Sequence, residues 1–204
     1  MQFFAWGINK PGVKDQRMAV IHDHWNFIEP YEPDLIARGP VLAGDGSDRT
    51  SVLGSIHILE QPSWADAERF VYDEPFASNG LFEKIVFSRF ALELDRTQFE
   101  FTSNPELPRF FIYCPARDGA TVGSGELKAA HETYCAAHDA SFVCRGALLT
   151  RDGAWNGSVY FMEVPSQAEA ETFIEGDPYN VAGLYGQVQV LLWTMGGRRN
   201  LSDD

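Results

Sequence analysis

Strand-like residues run from Gln2 to Gly7, alternate from Val52 to Glu60 and return from Phe82 to Phe90, and each run predicts a β-strand. Between the first two, Asp15 to Ala37 is predicted to be mostly helical, with a break at Pro30 and Pro33, because proline has no N–H to donate. Pro62-Ser63 opens a second helix that runs through Phe70, with Ser63 as its N-cap. The order is strand, helix, a turn-linked pair of strands, helix, strand. That is the βαββαβ, or ferredoxin-like, pattern.

The pattern occurs twice. Shifting the chain by 103 places Gly54-Ser55 on Gly157-Ser158, Glu60 on Glu163, Pro62-Ser63 on Pro165-Ser166, Ala65 on Ala168, Ala67-Glu68 on Ala170-Glu171 and Phe70 on Phe173. Pro75 and Gly80-Leu81 fall on Pro178 and Gly183-Leu184, making twelve identities between positions 54 and 90. Average residue usage would give about two or three by chance. Upstream the offset is 107, matching His24 to His131 and Arg38-Gly39 to Arg145-Gly146. The difference falls in the turn with Gly44-Asp45-Gly46 and its counterpart near Asp152-Gly153, where closure entropy makes insertions cheap. The expected domains are a repeat at 1–92, a polar linker at 93–107, a repeat at 108–197 and a tail at 198–204. An open sheet with helices on one face needs cover on the other, which a second copy supplies. The expected fold class is α+β, two tandem ferredoxin-like βαββαβ repeats packed as an intrachain dimeric α+β barrel.

Composition narrows the partners. With 45% hydrophobic and 22% charged residues the chain is of ordinary globular composition, and its net charge of -13 repels phosphate backbones and anionic lipid. No nucleic acid and no membrane partner are expected, and no apolar run approaches the roughly 20 residues of a membrane span. The opening Met-Gln-Phe-Phe-Ala-Trp-Gly has no secretory pattern, so a cytoplasmic location is the default expectation. Cys114, Cys135 and Cys144 match no metal-ligand spacing and are read as small core residues.

The motifs Arg17-Met-Ala-Val-Ile-His-Asp-His24, Arg38-Gly39-Pro40, Gly54-Ser55 and Asp73-Glu74-Pro75-Phe76 with Gly80-Leu81 resemble the YCII-related family. His131, Arg145-Gly146, Gly157-Ser158 and Asp177-Pro178-Tyr179 with Gly183-Leu184 repeat the resemblance. Its members are usually single domains that pair into a dimeric α+β barrel; here both copies are fused. The resemblance implies an active-site pair of a helix histidine and the aspartate of the Asp-Pro-Tyr segment, met by His131 and Asp177. In the first copy His24 matches, Glu74 replaces the aspartate and Phe76 the tyrosine. Arg17 meets the family's arginine seven residues before the histidine, where the second copy has Ser124.

A histidine oriented by a carboxylate can take and return protons near neutral pH. The catalytic candidates are His131, Asp177, His24 and Glu74; the substrate-binding candidates are Arg17, Ser55, Ser158, Tyr179, Phe76 and Trp25. Each has a structural alternative. Asp177 before Pro178 is a good N-cap; glutamate caps poorly, and Asp73 could cap in its place, leaving Glu74 for the histidine. Arg38 and Arg145 are read as cations at the end of the long helix, suited to its macrodipole. His22 and His24 point about 200° apart on a helix, which discounts a metal site.

No nucleophile elbow, phosphate loop, dinucleotide fingerprint or metal cluster is present, so cofactor-free chemistry is expected. Three readings remain: a lyase or isomerase acting on a small cyclic or aromatic metabolite such as a lactone, enone or halogenated quinol; a small-ligand binding protein; and a non-catalytic assembly subunit. A monomer with pseudo-two-fold symmetry, or a homodimer of it, suits all three. Between the copies, keeping the family's acid weights the His131–Asp177 site over the His24–Glu74 site, and Arg17 weighs the other way.

Overall fold

The computed structural model describes residues 1–44, 51–123 and 125–197. Most of the Gly44-Asp45-Gly46 turn, Ser124 and the tail at 198–204 lie outside the described residues. The chain divides into two compact units, Met1–Phe90 with the segment from Thr194, and Ala91–Trp193.

In the first unit β1 (Gln2–Asn9) runs antiparallel to both β3 (Val52–Glu60) and β4 (Phe82–Leu92), and β3 to β2 (Leu35–Leu42). The order β4-β1-β3-β2 is that of a ferredoxin-like sheet. Two short helices, α1 (Lys14–Ala19) and α2 (Ile21–Ile28), follow β1, while α3 (Trp64–Asp73) and the single turn α4 (Pro75–Ser78) follow β3. Ser63 caps α3, accepting from the Asp66 N–H. Phe3, Ala5, Ile28, Leu59, Ala67 and Phe70 bury the sheet's helix-facing side.

The second unit repeats the arrangement. Its sheet, in the order β8-β5-β7-β6, comprises β5 (Arg109–Pro115), β6 (Phe142–Leu149), β7 (Trp155–Glu163) and β8 (Gln189–Trp193). Its helices are α5 (Glu126–Ala136), α6 (Gln167–Gly176), capped by Ser166, and the turn α7 (Pro178–Val181). Phe110, Ile112, Phe142, Tyr160 and Phe173 form its core.

Two expectations require correction. The region from Asp15 to Ala37 is not one broken helix: α2 ends at Ile28, Glu29–Asp34 is a 3-10 stretch, and Leu35 already begins β2. Pro30 and Pro33 withhold the N–H groups an α-helix needs, and buried Leu35, Ile36 and Ala37 join the sheet. Arg38 and Arg145 consequently sit in β2 and β6, not at a helix end. They are held by acids instead, Arg38 by Glu32 at 2.7 Å and Arg145 by Glu93 at 2.6 Å.

The segment 93–107 packs within the second unit. Arg96 donates to the carbonyls of Asp139 and Phe142, and Ser103 and the Asn104 N–H donate to Glu163.

The repeated glycine before Ser55 and Ser158 has a steric cause. A Cβ at Gly54 would lie 2.3 Å from the Gly7 carbonyl oxygen, and one at Gly157, at φ +133°, 2.4 Å from that of Cys114. Gly54→Ala is expected to destabilise the protein by about 1–3 kcal/mol through this overpacking. An unshifted urea midpoint would refute the explanation.

Candidate functional site

The two histidine–acid pairs lie between sheet and helices, one within each unit. In the first, the Nδ1 of His24 on α2 is 2.9 Å from Glu74 Oε2. Glu74 Oε2 also accepts from the Phe76 N–H and its Oε1 from the Ala77 N–H, each at 3.0 Å. Glu74 is thus itself the N-cap of α4, correcting the expectation that Asp73 would cap. Capping and pairing are compatible because a carboxylate offers about four acceptor sites. An oxygen already accepting a backbone N–H calls for a donor at His24 Nδ1, leaving Nε2 with the lone pair.

Around this pair the candidates separate. Arg17 is buried; its Nη1 donates to Asn9 Oδ1 and its Nη2 to Ser55 Oγ, both at 2.9 Å. Its guanidinium lies 3.8 Å from the centre of the Phe76 ring, on which His24 also stacks at 4.1 Å. Burial pushes the Arg17 pKa down to about 10, with the Glu74 charge opposing the shift. Trp25 is not brought to the site; it packs edge-on against His22 at 5.1 Å, one helical step away from the side His24 faces. A small recess of about 10 Å³, room for about one water molecule, is lined by Ala5, Gly7, Ser55, His57, Phe70 and Glu74, with Val71, Phe82 and Ile85 completing the wall.

His57 was not among the sequence candidates. It sits two residues beyond Ser55 on β3, its ring 5.6 Å from that of His24 and edge-on to Phe70. Burial holds its pKa well below the ordinary histidine value, and the charges of His24, Arg38 and Arg17 act in the same direction. The available signal was strand alternation: Ser55, His57 and Leu59 share one face, so a strand that supplies Ser55 to a site also supplies His57.

The second pair is tighter. His131 Nδ1 is 2.8 Å from Asp177 Oδ1, which also accepts from the Tyr179 N–H at 2.8 Å, so Asp177 both caps α7 and holds the histidine. Its Oδ2 accepts the hydroxyls of Tyr160 at 2.8 Å and Tyr185 at 3.1 Å. Four donors thus meet a carboxylate of 0% exposure. The Tyr179 ring lies flat on His131 at 3.8 Å, and the Cys135 sulfur is 3.7 Å from His131 Nε2. Burial, reinforced by Asp177, pushes the Cys135 thiol up to about 12, so it stays protonated. Ser158 is buried and hydrogen-bonds to the Tyr185 phenol, whose pKa burial raises well above its ordinary value.

Strand register makes the two sites comparable position by position. Ala5 pairs with His57 and Gly7 with Ser55 in the first unit; Ile112 pairs with Tyr160 and Cys114 with Ser158 in the second. The pocket residues Ala5, Gly7, His57 and Phe82 thus correspond to Ile112, Cys114, Tyr160 and Tyr185, each larger. The Phe82 ring already lies over Gly7, where a Cβ would approach it to 2.4 Å.

Among the described residues no group of three or more His, Cys, Asp or Glu side chains could hold a metal ion. No helix among them is long and apolar enough to cross a membrane.

The chain is similar to chlorite dismutase from Candidatus Nitrospira defluvii, with a TM-score of 0.60 over 98% of this chain and 93% of that one at 9% identity. It is also similar to an anthrone oxidase-like protein, with a TM-score of 0.56 over 96% of this chain and 91% of that one at 12% identity. At these identities the likeness bears on the fold alone, which is that of the dimeric α+β barrels. A 5-chloro-2-hydroxyhydroquinone dehydrochlorinase from Burkholderia phenoliruptrix is 30% identical over 45% of this chain and 94% of its own, with a TM-score of 0.43. No curated protein matches the chain. The YCII-related domain matches twice, at residues 1–91 and 109–194, and the chain belongs to that family as a tandem duplication.

Proposed function

We propose that the protein is a cofactor-free enzyme of small cyclic or aromatic metabolites, moving a proton by histidine–carboxylate chemistry in an isomerisation or elimination, and that its working site is in the first repeat. One observation carries the choice of repeat: the pocket beside the His24–Glu74 pair corresponds, in the second repeat, to positions taken by Ile112, Cys114, Tyr160 and Tyr185. A base must reach its substrate's proton within about 2.6–3.2 Å, or through one water. Around His131 the neighbouring volume belongs to side chains, and the Asp177 carboxylate already serves two phenols. This reverses the weight that the retained aspartate gave the second copy. Glutamate's extra methylene does not spoil the first pair, because the N–H groups of Phe76 and Ala77 fix its carboxylate.

In the proposed step His24 Nε2 takes the substrate's proton and Glu74 stabilises the resulting imidazolium. The proton returns to another atom of the substrate in an isomerisation, or is lost as a group departs in an elimination. Arg17 and Ser55 form the polar side of the site, with Phe76 beneath His24. The experiment is to compare His24→Ala and His131→Ala for ring opening of 5-nitrobenzisoxazole, a small aromatic bicycle in which loss of the C–H proton breaks the N–O bond and releases a coloured phenolate. Lactones, enones and halogenated quinols are then screened with the same variants. Loss confined to His24→Ala is expected; loss confined to His131→Ala would overturn the assignment.

A further inference from the structure

The first repeat holds an imidazole that the dyad does not use. His57 is buried and lines the pocket, its ring beside that of His24 and edge-on to Phe70. At the equivalent position the second repeat has Tyr160, whose hydroxyl is bonded to Asp177.

Next to His57 is a second oriented donor. Ser55 Oγ accepts from Arg17 Nη2, so its own hydroxyl proton is left to point elsewhere, and Ser55 also lines the pocket. Ser55 and His57 occupy the same face of β3, two residues apart, while the His24 ring lies 5.6 Å from His57. Two hydrogen-bond donors therefore face one small, aromatic-walled recess beside the His24 ring.

We propose that His57 is a further catalytic residue of this site, donating a hydrogen bond to the carbonyl oxygen of an enolisable cyclic substrate while His24 Nε2 removes the proton from the adjacent carbon. The inference rests on the first-repeat reading above and adds the substrate class to it. As the C–H bond breaks, its electron pair forms the new C=C bond, the carbonyl π pair moves to oxygen, and the enolate is held by His57 and Ser55. In a β,γ-unsaturated ketone the imidazolium of His24 then returns the proton to the γ carbon. The oxygen's pair re-forms the C=O, the new C=C shifts to the α,β position and the former β,γ π pair takes the proton, so atoms and electrons balance with no oxidant, reductant or metal. The oxygen and the acidic carbon of such a substrate are two bonds apart, a separation that two adjoining imidazoles can address together. Burial and the neighbouring positive charges keep His57 neutral; a neutral imidazole retains its N–H and does not protonate the neighbouring base.

The test uses cyclohex-3-enone, whose conversion to the conjugated cyclohex-2-enone is followed by ultraviolet absorbance. His57→Phe keeps an aromatic ring against Phe70 and removes the donor; His57→Gln keeps a donor. After circular dichroism confirms folding, His57→Phe is expected to lower kcat on the enone by about 10²–10³-fold, as removal of one oxyanion donor does, with KM little changed. His57→Gln should recover most of that loss, which a purely structural role would not predict. Equal rates for His57→Phe and wild type, an equally slow His57→Gln, or a wild-type protein that opens 5-nitrobenzisoxazole through His24 yet leaves the enone untouched would each overturn the proposal. A His24→Ala protein that retains both activities would instead overturn the dyad reading, so the two failures are distinguishable.

Discussion

Asp177→Ala is expected to destabilise the protein by about 3–5 kcal/mol, the cost of removing one partner from a buried charged network. Asp177 is fully buried and receives the His131 Nδ1, the Tyr179 N–H and the hydroxyls of Tyr160 and Tyr185, at 2.8, 2.8, 2.8 and 3.1 Å. Alanine leaves these donors facing a cavity and removes the cap of α7 as well. The Tyr160 and Tyr185 hydroxyls stand 2.9 Å apart and can satisfy only one of each other's protons and lone pairs. Urea unfolding measures the loss, and Tyr185→Phe, which deletes one of the four donors, should cost about 1 kcal/mol. Enzymatic turnover by the folded fraction should persist, because this network is structural on the present account. A loss below about 1 kcal/mol for Asp177→Ala would mean that the carboxylate is not the keystone of the second repeat.

Glu74→Gln tests the first repeat in the opposite way, with a large effect expected on rate. The amide offers one acceptor oxygen and an NH2 donor group where the carboxylate offers two acceptor oxygens, yet Phe76 N–H, Ala77 N–H and His24 Nδ1 all donate to this side chain. Relief comes if the glutamine nitrogen turns toward His24, which must then accept at Nδ1 and carry its proton on Nε2. That tautomer cannot take the substrate's proton, and the imidazolium loses its counter-charge. Turnover is expected to fall by about 10²–10⁴-fold, comparable to the amide replacement of a triad aspartate. The helix cap survives in part through the remaining amide oxygen, so the thermal midpoint should move by only a few degrees. A Glu74→Gln protein with the wild-type rate would exclude Glu74 as the residue that orients His24.

The duplication and both histidine–acid pairs were legible in the sequence because the same residue types recur at fixed offsets. Covalent spacing on a helix and before a Pro-aromatic turn survives in the linear order. The difference between the repeats was not. It depends on which residues of β1 and β5 pair with His57 and Tyr160, and Ala5 against Ile112 is an unremarkable exchange until the strand register places each beside its histidine–acid pair. His57 was missed for the same reason, since a histidine inside an apolar strand is ordinarily read as core. The sequence overextends the long helix at its end because Leu35-Ile36-Ala37 suits a buried helix or a buried strand equally, and only the two prolines mark the break. In linear order capping and pairing at Glu74 and Asp177 look like alternatives, and in the structure each carboxylate does both.

The most direct measurement of the central claim is the rate of 5-nitrobenzisoxazole opening by His24→Ala and His131→Ala, side by side with wild type at equal folded concentration. A working site in the first repeat predicts a loss of at least about 10²-fold for His24→Ala and a rate near wild type for His131→Ala. A normal rate for His24→Ala, or a comparable loss in both variants, would contradict it.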